Sequence, residues 1–193
     1  MGTHDGKNGK MIIFSAPSGA GKTTIVKALI DKFPQLEFSI SATCRAPRQG
    51  EVHGVDYYFF SSEEFEKAID GELFVEWEEV YAGTKYGTLR AEVDRIWAKG
   101  NTILFDVDVK GGLRLKNIFG EQALAIFVMP PSVDELRRRL VGRATDSPEV
   151  IEKRVAKAEH ELSFHPEFDK VIVNDDLGAA IAEVEEVIAD FIR

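Results

Sequence analysis

Apolar and polar positions follow two periods along the chain, and the switches between them mark the elements. Residues 11–15 (Met-Ile-Ile-Phe-Ser) form a short apolar run of the kind that fills the middle of a sheet. Residues 23–33 then carry Ile25, Val26, Leu29 and Ile30 at helical spacing and stop before Pro34. Residues 38–41 alternate like a strand, 45–56 read as a loop, and 57–60 as a short aromatic strand. Ser61 with Glu64 spells a capping box for a helix over 62–70. A strand over 73–80, a helix over 88–99 stopping at Gly100, and apolar strands over 102–107 and 123–129 follow. Ser132 with Glu135 is a second capping box, opening a helix over 132–140. Residues 141–148 are polar and irregular, and a charged helix covers 148–163. A strand over 170–173 precedes Asp176, which caps a last helix.

This alternation of strand and helix predicts an α/β fold, a mostly parallel sheet covered by helices on both faces. The segment 38–90 breaks the rhythm with short strands around one helix, and reads as an insertion packed on the edge of the main sheet. No internal repeat or low-complexity tract interrupts the chain.

At 193 residues and 44% hydrophobic content, one domain with a real core is expected. No apolar run reaches the ~18 residues of a membrane span. The polar first ten residues lack an apolar signal segment and read as a loose arm. The single cysteine, Cys44, has no internal disulfide partner. These features point to a cytoplasmic protein. The net charge of −9, without a Lys/Arg-rich block, argues against a nucleic-acid partner. Against that background the arginines at 45 and 48, at 137–143 and at 154 suggest a local cationic pocket for small polyphosphates.

The candidate chemistry starts at Phe-Ser-Ala-Pro-Ser-Gly-Ala-Gly-Lys-Thr-Thr, residues 14–24. It follows a buried strand and opens a helix, the context that a phosphate-binding loop requires. Backbone N–H groups of such a loop converge on an anion, and the helix N-terminus adds its positive dipole end. Lys22 is placed to reach the β- and γ-phosphates, and the Thr23 hydroxyl to hold Mg²⁺. The G-x-x-x-x-G-K-[ST] pattern is matched at all but its first position, which is Ala16; Gly19, Gly21, Lys22 and Thr23 are in place. The apolar strand 102–105 ends at Asp106, with Asp108 two residues on, and either acid could reach the ion through water. Arg45 and Arg48 flank Pro47, and their guanidinium forks suit phosphate. Arg139, Arg143 and Arg154 surround the polar stretch 141–148, while Arg137 and Arg138 read as a solvated helix face. Glu76 interrupts an apolar strand, so it either points outward or meets a specific ligand. The histidines at 4, 53, 160 and 165 show no metal-ligand spacing.

With these motifs placed, the chain closely resembles the guanylate kinases from about residue 10 onward. The resemblance is carried by SAPSGAGKTT at 15–24, TCRAPRQGEVHGVDYYF at 43–59, FVEW at 74–77, KYGT at 85–88, FDVDVKG at 105–111, RRLVGRATDS at 138–147 and VIVNDD at 171–176. It implies a P-loop NTPase three-layer fold in one domain, with a core of 10–37, 89–135 and 166–193. A small GMP-binding insertion over 38–88 and a mobile lid over about 136–165 complete it. The implied activity is Mg²⁺-dependent transfer of the ATP γ-phosphoryl group to GMP, in purine nucleotide metabolism and GMP recycling, with dGMP as a second acceptor. By the same resemblance, Ala16, Pro17, Ser18, Gly19, Ala20, Gly21, Lys22, Thr23 and Thr24 wrap the ATP phosphates. Arg139 joins the lid cluster and Asn174 lies where the adenine is contacted. Arg45, Arg48, Tyr57 and Tyr86 hold the GMP phosphate, and Ser41, Glu76, Thr88 and Asp106 read the guanine. Lys22, Arg45, Arg143 and Arg154 carry the catalytic charge. Departures from the family pattern are Ala16 for glycine, Cys44 for threonine and Lys110 for glutamine. Two rival readings are a non-catalytic guanylate-kinase-like module that binds phosphopeptides and a kinase for a different nucleoside monophosphate. The intact Gly21-Lys22-Thr23 and the lid arginines disfavour the first, and the set around Glu76 disfavours the second. Oligomeric state is left open.

Overall fold

The computed structural model describes residues 9–142 and 148–193. Strand β1 (Met11–Ser15) is buried throughout, and its side chains alternate between two cores. Ile12 and Phe14 face helices α1 (Lys22–Lys32) and α7 (Leu177–Ile192), meeting Ile25, Leu29, Val184 and Ile188. Met11 and Ile13 face the other way, toward Val93 and Ile96 of α3 (Arg90–Ala98) and Leu115 of α4 (Val109–Phe119). A continuous apolar strand is what a sheet covered on both faces requires.

The central sheet is parallel, in the order β2 (Leu36–Phe38), β7 (Thr102–Asp106), β1, β8 (Ala123–Met129), β9 (Lys170–Val173). The chain leaves β1 toward one side and returns to β8 on the other, so the order reverses at β1. Ligands of open α/β sheets gather at such a reversal, beyond the carboxyl ends of the strands. A second, four-stranded sheet lies within residues 42–89, in the order β4 (Tyr58–Phe59), β3 (Ala42–Thr43), β6 (Thr84–Leu89), β5 (Phe74–Tyr81). It packs on α2 (Ser62–Asp70) through Phe65, Ala68 and Phe74. Helices α5 (Val133–Val141) and α6 (Pro148–Leu162) pack on each other through Leu136, Leu140, Val155 and Ala158. Both expected capping hydroxyls are in place: Ser61 accepts from the Glu64 N–H, and Ser132 from the Glu135 N–H.

Four expectations change. Residues 38–41 are not a strand: β2 ends at Phe38 and β3 begins at Ala42, with a crossing between the two sheets in between. Thr88 belongs to β6, so the helix expected from 88 starts at Arg90. Strand β6 was itself hidden, because Gly87 interrupts its pattern. That glycine is needed, since a Cβ would lie 2.8 Å from the Phe74 ring and 2.9 Å from the Glu76 carbonyl. Helix α4 had no sequence signal strong enough to outweigh Gly111 and Gly112, the poorest ordinary helix formers. Asp108 is its N-cap, accepting from the N–H groups of Lys110 and Gly111 at 3.0 and 3.2 Å. The acid expected to continue an extended chain beside Asp106 therefore starts a helix instead.

Gly112 lets α4 settle on β1. A Cβ there would sit 2.3 Å from the Ser15 hydroxyl and 3.3 Å from an Ile13 methyl. In an open helix, Gly→Ala gains about 1 kcal/mol. Overpacking a buried site costs about 1–3 kcal/mol. Gly112→Ala is thus expected to lower stability by up to about 2 kcal/mol in urea denaturation. A stabilised variant would contradict this close packing.

Candidate active site

The loop between β1 and α1 takes its shape from two glycines. Gly19 and Gly21 both have φ +93°, a region that L side chains rarely adopt. A Cβ on Gly21 would also lie 2.2 Å from the Asn174 side-chain nitrogen. Ala16, the departure at the first motif position, has ordinary backbone geometry: Glu72 is the one described non-glycine residue with positive φ. Asn174 is 5% exposed and braces the loop, its amide donating to the Ala20 carbonyl at 2.7 Å. Its own backbone N–H is held by the Met129 carbonyl, and its carbonyl accepts from Arg139 at 2.9 Å. Arg139 also donates to Glu135 at 2.8 Å.

Helix α1 begins at Gly21 with no side-chain cap and no acid in its first turn. The starts of α2, α4, α5 and α7 each carry a capping side chain. An uncapped helix start leaves backbone N–H groups and a positive dipole end directed at the space before it. That space is a cavity of about 420 Å³. Residues 16–24 form one wall. Lys22 enters beside them, ion-paired with Asp106 and donating to the Val107 carbonyl at 3.0 Å. Parallel pairing of β1 and β7 sets Phe14 opposite Asp106, which delivers the carboxylate to the mouth of the loop.

The opposite wall comes from the second sheet and the chain leading into it: Ser41, Tyr57, Glu76 and Tyr86. Glu76 is 7% exposed. It faces Thr88 across the β5–β6 ladder and accepts from its hydroxyl at 2.8 Å. Burial pushes its carboxyl up to about 7; the Thr88 bond opposes the shift and the Asp108 charge adds to it. Asp108 lines the cavity as well. Burial likewise raises the Tyr57 phenol.

Arg45 lies behind this wall. Its guanidinium stacks on the Tyr57 ring, 4.9 Å from the centroid, and Nε donates to the Tyr86 hydroxyl at 3.1 Å. Because the Tyr86 oxygen accepts that bond, its own proton is directed elsewhere and can serve an anion. A fork of two bonds, 2.6 and 2.7 Å, joins Arg45 to Glu51, which also accepts from the Arg48 N–H at 2.7 Å. Arg45, helped by the Arg48 N–H, holds the Glu51 carboxyl at about 2. The Arg48 side chain is exposed.

The third wall is one face of α6: Arg154, Lys157 and Glu161. Burial raises the Glu161 carboxyl, and Lys157, 3.6 Å away, opposes that shift. Of the residues singled out in the sequence, the structure gathers 16–24, Ser41, Tyr57, Glu76, Tyr86, Asp106, Asp108 and Arg154 around one space. Thr88, Arg45, Asn174 and Arg139 act from behind it. Arg143 lies outside the described residues. Arg137 and Arg138 are exposed and ion-paired, with Glu152 and Glu135 respectively. Lys110 is exposed on α4 and is not part of the cavity wall. Sequence reasoning overlooked Lys157, Glu161 and Glu51. The first two follow Arg154 at steps of three and four, the helical spacing that puts them on its face. Glu51 sits in an irregular loop, where no period points to a partner.

Comparison with known proteins agrees with this architecture. The sequence model of the guanylate kinase family matches residues 8–191. A guanylate kinase from Bacteroides fragilis is 55% identical over 189 residues, covering 98% of this chain and 93% of that protein. One from Bacteroides thetaiotaomicron is 56% identical over 185 residues, 96% of this chain and 91% of its own. Among solved structures, guanylate kinase from Anaplasma phagocytophilum superposes with a TM-score of 0.74 at 30% identity, covering 96% of this chain and 87% of that one. Shikimate kinase from Bacteroides thetaiotaomicron, 17% identical with a TM-score of 0.50 over 93% of this chain and 98% of its own, shares the fold alone. The chain belongs to the guanylate kinase family and is a nucleoside monophosphate kinase.

Proposed function

We propose that the two walls of this cavity hold the two substrates of a guanylate kinase, ATP on the loop of residues 16–24 and GMP on the second sheet. Guanylate kinase activity follows from the family; the division of labour rests on the geometry. The observation that carries it is the shared cavity, which sets Lys22 and an uncapped helix start opposite Glu76, Tyr57 and Tyr86. Phosphoryl transfer needs its two oxygens in line and its developing charge neutralised, with little covalent work for the protein. Loop N–H groups and Lys22 meet the ATP phosphates, exchanging the Asp106 carboxylate for phosphate oxygens. Tyr86 and Tyr57 meet the GMP phosphate from the wall, and Arg45, exchanging the Glu51 carboxylate for phosphate oxygens, joins them from behind together with Arg48. Arg154 comes from α6 to the group in transit, and closure of that side excludes water that would hydrolyse ATP. Asn174 and Arg139 brace the loop on the adenine side.

Guanine presents N–H donors at N1 and at the 2-amino group, and the Glu76 carboxylate accepts from such a pair. Thr88 bonds the carboxylate, and Ser41 and Asp106 line the same cavity. Adenine lacks the 2-amino donor and turns a lone pair toward the carboxylate. Leaving a buried acceptor unpaired supports rejection of AMP approaching ~10⁴-fold.

Mg²⁺ fits the donors present. Thr23 and Asp106 offer hard oxygens on the cavity wall. Among the described residues no group of three or more His, Cys, Asp or Glu could hold an ion by itself. The ion would be held with the help of Thr23 and Asp106 and would neutralise phosphate charge when bound. No helix among the described residues is long and apolar enough to cross a membrane.

A coupled ADP-release assay with ATP and Mg²⁺, offering GMP, dGMP, AMP, UMP and CMP, tests the reading. GMP is expected to turn over best, dGMP less well and the others hardly at all. Binding of GMP without turnover would favour a non-catalytic module. Lys22→Met is expected to lower kcat at least ~10³-fold while the circular dichroism spectrum is retained, the scale of losing a main charge stabiliser. Near-normal turnover would remove Lys22 from the chemistry.

Glu76 supplies a pH signature. The folded carboxyl titrates at about 7 against an ordinary 4.5, so between those values the folded chain keeps a proton that the unfolded chain has lost. Stability therefore falls as pH rises through that window. Glu76→Gln is expected to gain melting temperature over the parent progressively from about pH 5 to pH 8 and to lose GMP discrimination. Since guanine needs the ionised acid, GMP binding at pH 7 is expected to release about half a proton, measured by calorimetry in buffers of different ionisation enthalpy. Unchanged heats across buffers would show that Glu76 does not accept from the base.

A further inference from the structure

The chain passes from the central sheet to the second sheet at residues 39–41 and returns where β6 gives way to α3. Glu92, in the first turn of α3, ties these crossings together. It is 2% exposed, yet it lies outside the cavity. One oxygen accepts from the Ile40 N–H at 3.0 Å, and the other from the Tyr58 hydroxyl at 3.2 Å. Arg95, one turn on, donates to both oxygens at 2.6 and 3.0 Å. Arg95 also pairs with Glu37 of β2, which Lys99 and Asn101 hold at 2.7 and 2.8 Å. Burial pushes the Glu92 carboxyl up, but Arg95 and the Ile40 N–H outweigh it and leave the acid lowered.

The two groups held by Glu92 are direct neighbours of two cavity residues. Ile40 precedes Ser41, and Tyr58 follows Tyr57. The Tyr58 N–H bonds the Ser41 carbonyl at 2.9 Å, so these segments are also joined to each other. Successive side chains of an extended chain point to opposite faces. Tyr58 accordingly reaches back to Glu92 while Tyr57 faces the cavity. The neighbouring Ser39 hydroxyl is buried without a hydrogen-bond partner in the described structure, so that side chain does not fix the crossing.

We propose that Glu92 is a positioning residue for the GMP half of the site: anchored by Arg95 to the core, it holds Ile40 and Tyr58 so that Ser41 and Tyr57 stand at the distance GMP requires. The inference rests on reading Ser41 and Tyr57 as GMP contacts. The loop of residues 16–24 has no bond to this network, so ATP binding should not sense it.

Tyr58→Phe removes one hydroxyl and no packing, and Glu92→Gln keeps the shape while removing the charge. Each is expected to raise KM for GMP about three- to tenfold, the scale of one hydrogen bond, with KM for ATP within about twofold of the parent. The double variant is expected to be no worse than Glu92→Gln alone, since both changes cut one contact. A parallel rise in KM for ATP and GMP would mark Glu92 as merely structural and overturn the proposal. So would an unchanged KM for GMP in both Tyr58→Phe and Glu92→Gln. If the parent chain itself fails to turn over GMP, the assignment of the cleft falls first; if it does turn over GMP, these outcomes judge Glu92 alone.

Discussion

The cleft is organised around one positive charge that the fold must both hold and leave usable. Lys22 is the first residue of α1, after the loop that follows β1, and its ammonium needs a partner there. The sheet order supplies it. Because β7 lies between β2 and β1 in parallel register, Asp106 arrives opposite Phe14, at the level of the loop. The Val107 carbonyl takes a second ammonium proton. A carboxylate and a carbonyl can both yield to phosphate oxygens, which carry more charge. Lys22 is therefore held by groups that a polyphosphate can replace without moving the backbone.

The loop around that charge is braced from behind. Gly21 combines a left-handed backbone with an approach to Asn174 that no side chain would permit. Asn174 in turn joins the Ala20 carbonyl to Arg139 of α5. The loop is thus connected to the helix pair that carries Arg154 by hydrogen bonds, beside the packing of Leu136 and Leu140 on Gly19. Such bonds fix direction while burying little area. This suits a junction between a rigid sheet and the helices expected to form the lid.

How much of this was legible in the sequence depended on whether a period or a local motif carried the signal. Strand β1, the loop and α1 were readable because an apolar run, small residues and a helical stripe occur in succession. Both capping serines were readable because the motif is local, although only Glu64 returns the reciprocal bond. Helix α4 was not, since Gly111 and Gly112 are chosen for contact with Glu76, Asp108 and Ser15 rather than for propensity. Strand β6 was hidden for the same reason at Gly87. Asp106 is legible at a strand end, but the role of Asp108 as a cap depends on a helix that the sequence pattern hides. The Arg45–Glu51 fork and the Glu92 network join residues through loops and crossings, where spacing along the chain says nothing about contact in space. The resemblance placed residues that no period could.

On the proposed reading Glu76 meets a ligand and Glu92 holds the frame, and their surroundings differ accordingly. Both are buried carboxylates at the second sheet, and burial raises the proton affinity of each. Glu92 is surrounded by donors: Arg95, the Ile40 N–H and the Tyr58 hydroxyl serve both of its oxygens. Those bonds outweigh burial, and the acid remains ionised and fixed. Glu76 receives one bond, from Thr88 to a single oxygen, and its carboxyl titrates near neutrality. A half-satisfied buried acid is a net cost to folding, and nothing in the packing of β5 requires an acid there. The cost is rational if a substrate supplies the missing donors, because a base that brings two N–H groups recovers it and one that brings a lone pair does not. On that view discrimination between purines comes from the donors the fold withholds from Glu76, and the steadiness of the frame from those it grants to Glu92.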